Sequence, residues 1–289
     1  MKRKVSIALL VILILATIYI PEGVNAATEY KVINLSEKHV SVGKVKFSST
    51  RDADSGKVTI YYKTNNKTKI LASEVGLDCV ILTNGRYAYY IVADDETTYS
   101  VFKKDIKTSS NKKLFSEKTS DFGMSLSGIY KNKLFYVKGI DPGTLCSYDL
   151  KSGKKKKIME NVTQAEQHGN VFLCTPYEGA LGPSTLRAYD AKNNEKKTIT
   201  KNKMSYQVIR NHLYYVEYVR AYDSNSHYVN PEDYICKVVR CNLTGKNKKV
   251  LLKNKRIQGY VSKITSSYIE YTHYDYSNNT QKVYRLKYK

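Results

Sequence analysis

Five histidines could supply base or metal chemistry: His39, His168, His212, His227 and His273. None pairs with another at the helical spacing that sets two imidazoles on one zinc. Gly123 to Gly128 reads Gly-Met-Ser-Leu-Ser-Gly, close to a nucleophile elbow. Ser127 stands where that motif needs its second glycine, and the segment reads as a strand rather than a strand-to-helix turn. Asp52-Ala53-Asp54-Ser55-Gly56 opens like a calcium loop, but Lys57 and Lys63 occupy the positions that require Gly and Glu. A looser calcium site on the acidic loop face is the alternative. Asp94 and Asp95 are adjacent carboxylates of the kind common in hairpin loops. No phosphate loop or dinucleotide fingerprint is present. These residues assign no catalytic centre, no metal and no cofactor. An enzyme built on this chain would have to bring groups such as His227, Arg187, Arg220 and Tyr222 together at its centre. Its chemistry would then be that of a lyase or hydrolase on an acidic polysaccharide.

The elements that position these residues repeat. One phrase recurs as "TIYYKTNNKTKIL", "FKKDIKTSSNKKLF", "CSYDLKSGKKKKIM", "RAYDAKNNEKKTIT" and "VRCNLTGKNKKVLL". Each is a strand, a polar turn and a second strand. Aligned, the equivalent positions are Tyr61, Asp105, Asp149, Asp190 and Asn242, with Arg285 in a sixth copy, at steps of 44, 44, 41, 52 and 43 residues. A Tyr/Phe-rich strand precedes each phrase, and a short apolar segment such as "LDCVIL", "MSLSGIY", "SYQVIR" or "GYVSKI" precedes most of those. Four short strands per unit of this length, with no helical periodicity, read as a propeller blade. The last copy stops after three strands, and "EYKVINLS" adds a strand at the other end. The expected architecture is therefore all-β, a six-bladed β-propeller over residues 27–289. Its N-terminal strand should close the last blade and hide two edges.

The phrases "NHLYYVEY" and "KVVRCNLTGKNKKVLL" resemble the low-density-lipoprotein-receptor-like six-bladed propeller domains of unknown function in Gram-positive bacteria. The resemblance covers residues 28–289 and is clearest from Asn84 onward. It implies a secreted or surface binding module. Receptor propellers carry a Tyr-Trp-Thr-Asp strand motif, and this chain has no Trp.

In an antiparallel blade, the turns after the first and third strands leave one face, and the middle loops leave the other. The third-strand turns are rich in lysine: Lys112 and Lys113; Lys154, Lys155, Lys156 and Lys157; Lys196 and Lys197; Lys248 and Lys249. With 48 Lys+Arg against 26 Asp+Glu and a net charge of +22, they form the candidate polyanion-binding surface. The partners expected there are an anionic cell-wall polymer or a membrane surface. No motif points to specific nucleic-acid recognition. The middle loops hold eleven of the 26 acids, with tyrosines among them. Asp52, Asp54, Asp94, Asp95, Tyr177, Glu178, Tyr222, Asp223, His227, Asp233, Tyr274 and Asp275 are the candidate site for a protein, peptide or glycan ligand. Asp105, Asp149 and Asp190 are expected to bond their own turn amides.

Lys2-Arg3-Lys4, an uncharged run from Val5 to Ile20, and Val24-Asn25-Ala26 form the pattern of an export signal over residues 1–26. The expected location is extracellular, with retention at the wall, and the expected state is a monomer. The five cysteines, Cys79, Cys146, Cys174, Cys236 and Cys241, are odd in number and scattered. They read as buried apolar residues rather than a disulfide framework.

Overall fold

The computed structural model describes residues 29–36, 39–74, 76–119, 123–139, 142–176, 183–222, 233–275 and 278–288, all strand, turn and loop. The export signal lies outside them. β1 (Lys31–Asn34) precedes the first unit, a four-stranded sheet of β2 (Val40–Val42), β3 (Val45–Arg51), β4 (Val58–Thr64) and β5 (Lys67–Glu74). The second unit is β6 (Leu77–Thr83), β7 (Tyr87–Ala93), β8 (Thr98–Asp105) and β9 (Asn111–Lys118). The third is β10 (Met124–Tyr130), β11 (Lys133–Lys138), β12 (Thr144–Asp149) and β13 (Lys155–Glu160). β14 (Gln164–His168), β15 (Val171–Thr175), β16 (Ser184–Asp190), β17 (Glu195–Ile209), β18 (His212–Ala221), β19 (Asp233–Asn242) and β20 (Lys249–Gln258) form one seven-stranded sheet. β21 (Tyr260–Ile264), β22 (Tyr268–Asp275) and β23 (Thr280–Lys287) complete the order.

Two expectations are corrected here. The sheets number five rather than six blades of four. The fourth and fifth repeats share β17, which pairs with β16 as far as Lys203 and with β18 from there to Ile209. No Gly or Pro interrupts Lys201-Asn202-Lys203, so the chain stays extended through the unit boundary. The N-terminal strand also does not close the last unit. β1 pairs antiparallel with β6, from Lys31↔Thr83 to Asn34↔Val80, and the outer edge of β23 has no neighbour among the described residues. Ile33 and Leu35 are buried there in the core of the first two units, and Tyr30 meets Tyr89 edge-on at 5.8 Å. That apolar burial against β6 is what β1 gains in place of the β23 edge.

The core lies between units. One apolar cluster joins each consecutive pair of units, from first-with-second to fifth-with-sixth. None joins the sixth to the first among the described residues. The Tyr/Phe-rich strands fill these seams: Tyr89, Phe135, Tyr136, Phe172 and Tyr215 are all almost fully buried. Period-two alternation sends successive side chains to opposite seams. Cys236 and Cys241, five apart on β19, accordingly sit in different clusters. All five thiols are buried and unbridged.

Candidate functional site

The repeated acid of each third strand builds a turn. Asp105 accepts from the amides of Lys107 (2.9 Å) and Thr108 (3.2 Å). Asp149 does so from Lys151 and Ser152, Asp190 from Lys192 and Asn193, and Asn242 from Lys246. These bonds hold the Asp149 carboxyl below its usual range. The three Asp turns are then tied to the first turn of their own units, by Ile106 N to Arg86 O, Leu150 N to Asn132 O and Ala191 N to Asn170 O, each 2.8 Å. Both turn families therefore share one face, as the sequence implies.

The lysines are placed differently from expectation. Lys112 and Lys113, Lys155 to Lys157, Lys196 and Lys197, and Lys249 stand in the outer strands β9, β13, β17 and β20; Lys154 and Lys248 are in turns. Several lysines reach across to other elements instead of lying free. Lys155 donates to Ser116 O (2.8 Å) and pairs with Glu117 (2.9 Å), both on the preceding unit's outer strand. Lys248 repeats the reach two units on, donating to Ile199 O at 2.7 Å. Lys113 pairs with Asp94 (3.4 Å) and Lys157 with Glu160. Glu117 also accepts from Tyr136 (2.8 Å) and Lys138 (3.0 Å). Burial raises the Glu117 carboxyl, but its bonds to Lys155, Lys138 and Tyr136 outweigh this and leave it below the ordinary range. Lys112, Lys154, Lys156, Lys196, Lys197 and Lys249 are exposed and form no ion pair among the described residues.

The acidic loop residues serve their own hairpins. Asp52 accepts from the Ser55 amide (2.8 Å) and hydroxyl (2.7 Å), and Asp95 from the amides of Thr97 and Thr98. Asp94 accepts from Ser100 and Lys113, and Asp275 from the Asn278 side chain (2.9 Å). Tyr274 bonds Asn279. Asp233 holds Arg256 through two bonds of 2.8 Å, and that guanidinium lies 3.5 Å over the Tyr222 ring. The Asp54 side chain is exposed. Tyr177, Glu178, Asp223 and His227 lie outside the described residues. Arg187 is turned to Asn161 O rather than toward Tyr222. Among the described residues no group of three His, Cys, Asp or Glu side chains is placed to hold a metal.

Sequence reasoning missed a cavity of about 590 Å³ between the innermost strands, with β1 along one wall. Glu29, Tyr30 and Lys31 face β10 residues Ser125 and Ser127, with Glu166 and Gln167 of β14 and Tyr206 of β17 opposite. Gln167 clamps Ile129, accepting from its amide (2.9 Å) and donating to its carbonyl (2.8 Å). Glu166 accepts from Tyr206 (3.2 Å) and lies 3.1 Å from His168. The His168 contact lowers the Glu166 carboxyl, whereas burial and Glu166 push the Tyr206 hydroxyl upward. The buried Ser127 hydroxyl has no hydrogen-bond partner. The signal for this wall was a gap in the repeat: where other units carry an apolar innermost strand, the fourth carries "QAEQH".

Strand order, seam packing and turn geometry define an all-β, propeller-type fold. No protein-family model matches the sequence, and no curated protein matches it. Solved structures with similar folds are β-propeller proteins. The β-propeller domain of the Trilobed protease from Pyrococcus furiosus is 11% identical at TM-score 0.47, with 90% of this chain and 82% of that one covered. An uncharacterized protein from Listeria monocytogenes is 14% identical at TM-score 0.44, with 90% and 94% covered. TolB from Acinetobacter baumannii is 14% identical at TM-score 0.42, and this chain spans 60% of its length.

Proposed function

We propose that the protein is a secreted, non-catalytic binding module of a Gram-positive bacterial surface. Its exposed lysines hold an anionic wall polymer or an anionic membrane surface, and its loop face and cavity take a protein, peptide or glycan. The observation that carries this reading is the set of six exposed outer-strand and turn lysines that form no ion pair among the described residues, in a chain of net charge +22. Their field would attract polyanions with a strongly salt-dependent affinity. Pull-down on purified wall sacculi, with and without teichoic acid across a salt series, tests it. Binding should need the teichoic acid and fade with salt; retention on stripped sacculi at high salt would refute it.

The alternative is an extracellular lyase or hydrolase for an acidic polysaccharide, for which Glu166 and Tyr206 at the cavity wall, with His168 beside Glu166, are the candidate groups. The hydrogen bond that Tyr206 donates to Glu166 favours binding. A tyrosine held protonated beside an ionised glutamate donates a hydrogen bond and is a poor base. Cleavage of an acidic polysaccharide that is abolished by Tyr206→Phe would reverse this preference.

A further inference from the structure

The first two units meet at a second cavity, of about 490 Å³, on the face that carries both turn families. Four turns bring cations to it. Lys44 comes from the β2–β3 turn, Lys67 and Lys69 from the start of β5, Arg86 from the β6–β7 turn and Lys107 from the β8–β9 turn. No acid lines it. None of the five cations is in an ion pair among the described residues. Asp105, the acid nearest to Lys107 in sequence, is engaged by the turn amides.

The turns are fixed in place. Gly85 (φ +83°) packs so closely on the first unit that a Cβ there would stand 2.9 Å from Val42 O. That contact sets Arg86 opposite Lys44. The Arg86 carbonyl accepts from Ile106 N, which holds Lys107 beside it, and Tyr62 OH bonds Ser109 Oγ across the seam at 3.1 Å. The floor is apolar, with Val45 and Ile106 both buried. The next seam shows what this chain does with converging lysines when it answers them itself: Glu117 sits between Lys138 and Lys155. The first seam gathers more cations and supplies no carboxylate.

We infer that this cleft is a discrete site for a phosphate-class anion, and that it is where the phosphodiester of a wall polymer seats. The inference rests on the polyanion reading above and narrows it to one place. Arg86, whose guanidinium lies 5.2 Å over the neighbouring Tyr87 ring, would turn a planar fork to two phosphate oxygens, and the lysines add point charges around it. A polymer with repeating phosphates would thread from this site along the exposed outer-strand lysines.

The test measures binding of poly(glycerol phosphate) to the full chain at low salt. The cleft variant is Lys67→Gln/Lys69→Gln/Arg86→Gln. A control of equal charge change is Lys112→Gln/Lys156→Gln/Lys197→Gln. All six positions are exposed, so both variants should fold as the wild type does. The cleft variant should bind about ten-fold more weakly, and the control less than about three-fold. Equal losses would overturn the cleft and leave the general polyanion reading standing. No binding by the wild type would overturn both. Inorganic phosphate separates the sources. Uptake by the wild type but not the cleft variant assigns a single phosphate group, free or bound. Cleft-dependent polymer binding without phosphate uptake assigns the polymer chain.

Discussion

Glu117→Gln removes the charge that ties the second unit to the third and keeps the side chain's shape. The carboxylate accepts from Tyr136 at 2.8 Å and pairs with Lys155 at 2.9 Å and Lys138 at 3.0 Å. Its own side chain is 11% exposed, and the two lysines are 39% and 35% exposed. Fully exposed pairs contribute about 0–1 kcal/mol each, while breaking a fully buried pair costs roughly 3–5 kcal/mol. Two pairs with a buried acid and partly solvated bases fall between, so the variant should lose about 2 kcal/mol. For a chain of this size that is a fall in Tm of about 4–8 °C. The glutamine oxygen can still accept from Tyr136, so Tyr136→Phe should cost about 1 kcal/mol more in the wild type than in the Glu117→Gln background. The pH dependence has a fixed sign. The folded-state carboxyl lies below its unfolded value, so its contribution is present above the unfolded value and is lost as pH falls through the folded one. The gap between wild type and variant should therefore close in acid. Urea unfolding of the four chains of the cycle at neutral and acid pH measures all of this. A variant within about 0.5 kcal/mol of wild type at neutral pH, or a gap unchanged in acid, would refute an inter-unit tie by charge.

Gly128→Ala should destabilise by about 3 kcal/mol, because a Cβ at φ +155° would stand 1.9 Å from Gln167 Oε1 and expel the clamp on Ile129; urea unfolding measures it, and a change under 1 kcal/mol would contradict it. Leu35→Ala should cost about 3 kcal/mol and deprotect β6 amides in hydrogen exchange while leaving β23 unchanged, since β1 docks on β6. Deprotection of β23 instead would restore the expected clasp. The buried thiols of Cys174 and Cys236 are pushed up to about 12 by desolvation, and that of Cys241 to about 11. A disulfide-exchange reagent at mildly alkaline pH should find none of the five until the chain is unfolded, and rapid reaction of the native chain would show the seams to be open.

Local signals were legible and distant ones were not. The turn role of Asp105, Asp149 and Asp190 follows from a short acceptor beside a polar turn, and the structure bears it out. The opposed burial of Cys236 and Cys241 follows from strand alternation alone. "EYKVINLS" announces a strand but not its partner, because without it the edges of both β6 and β23 are open among the described residues and the choice depends on where Ile33 and Leu35 find apolar contacts. The pairing of single lysines was hidden for the same reason: the partner of Lys155 is Glu117, 38 residues earlier, and nothing local marks the pair. The cleft of Lys44, Lys67, Lys69, Arg86 and Lys107 draws one or two residues from each of four turn regions, so no run of basic residues betrays it.

Among the described residues, five apolar seams join six repeats in a row, an arrangement with two ends. In a closed ring, every blade is held from both sides, and losing one means breaking two seams. Here the terminal repeats each have one, so unfolding can begin as fraying. The first repeat is reinforced because β1 lies in the same cluster, across its seam with the second. The last has three strands and an exposed outer edge, so the local free energy of opening should be lowest at the C-terminal end and rise inward.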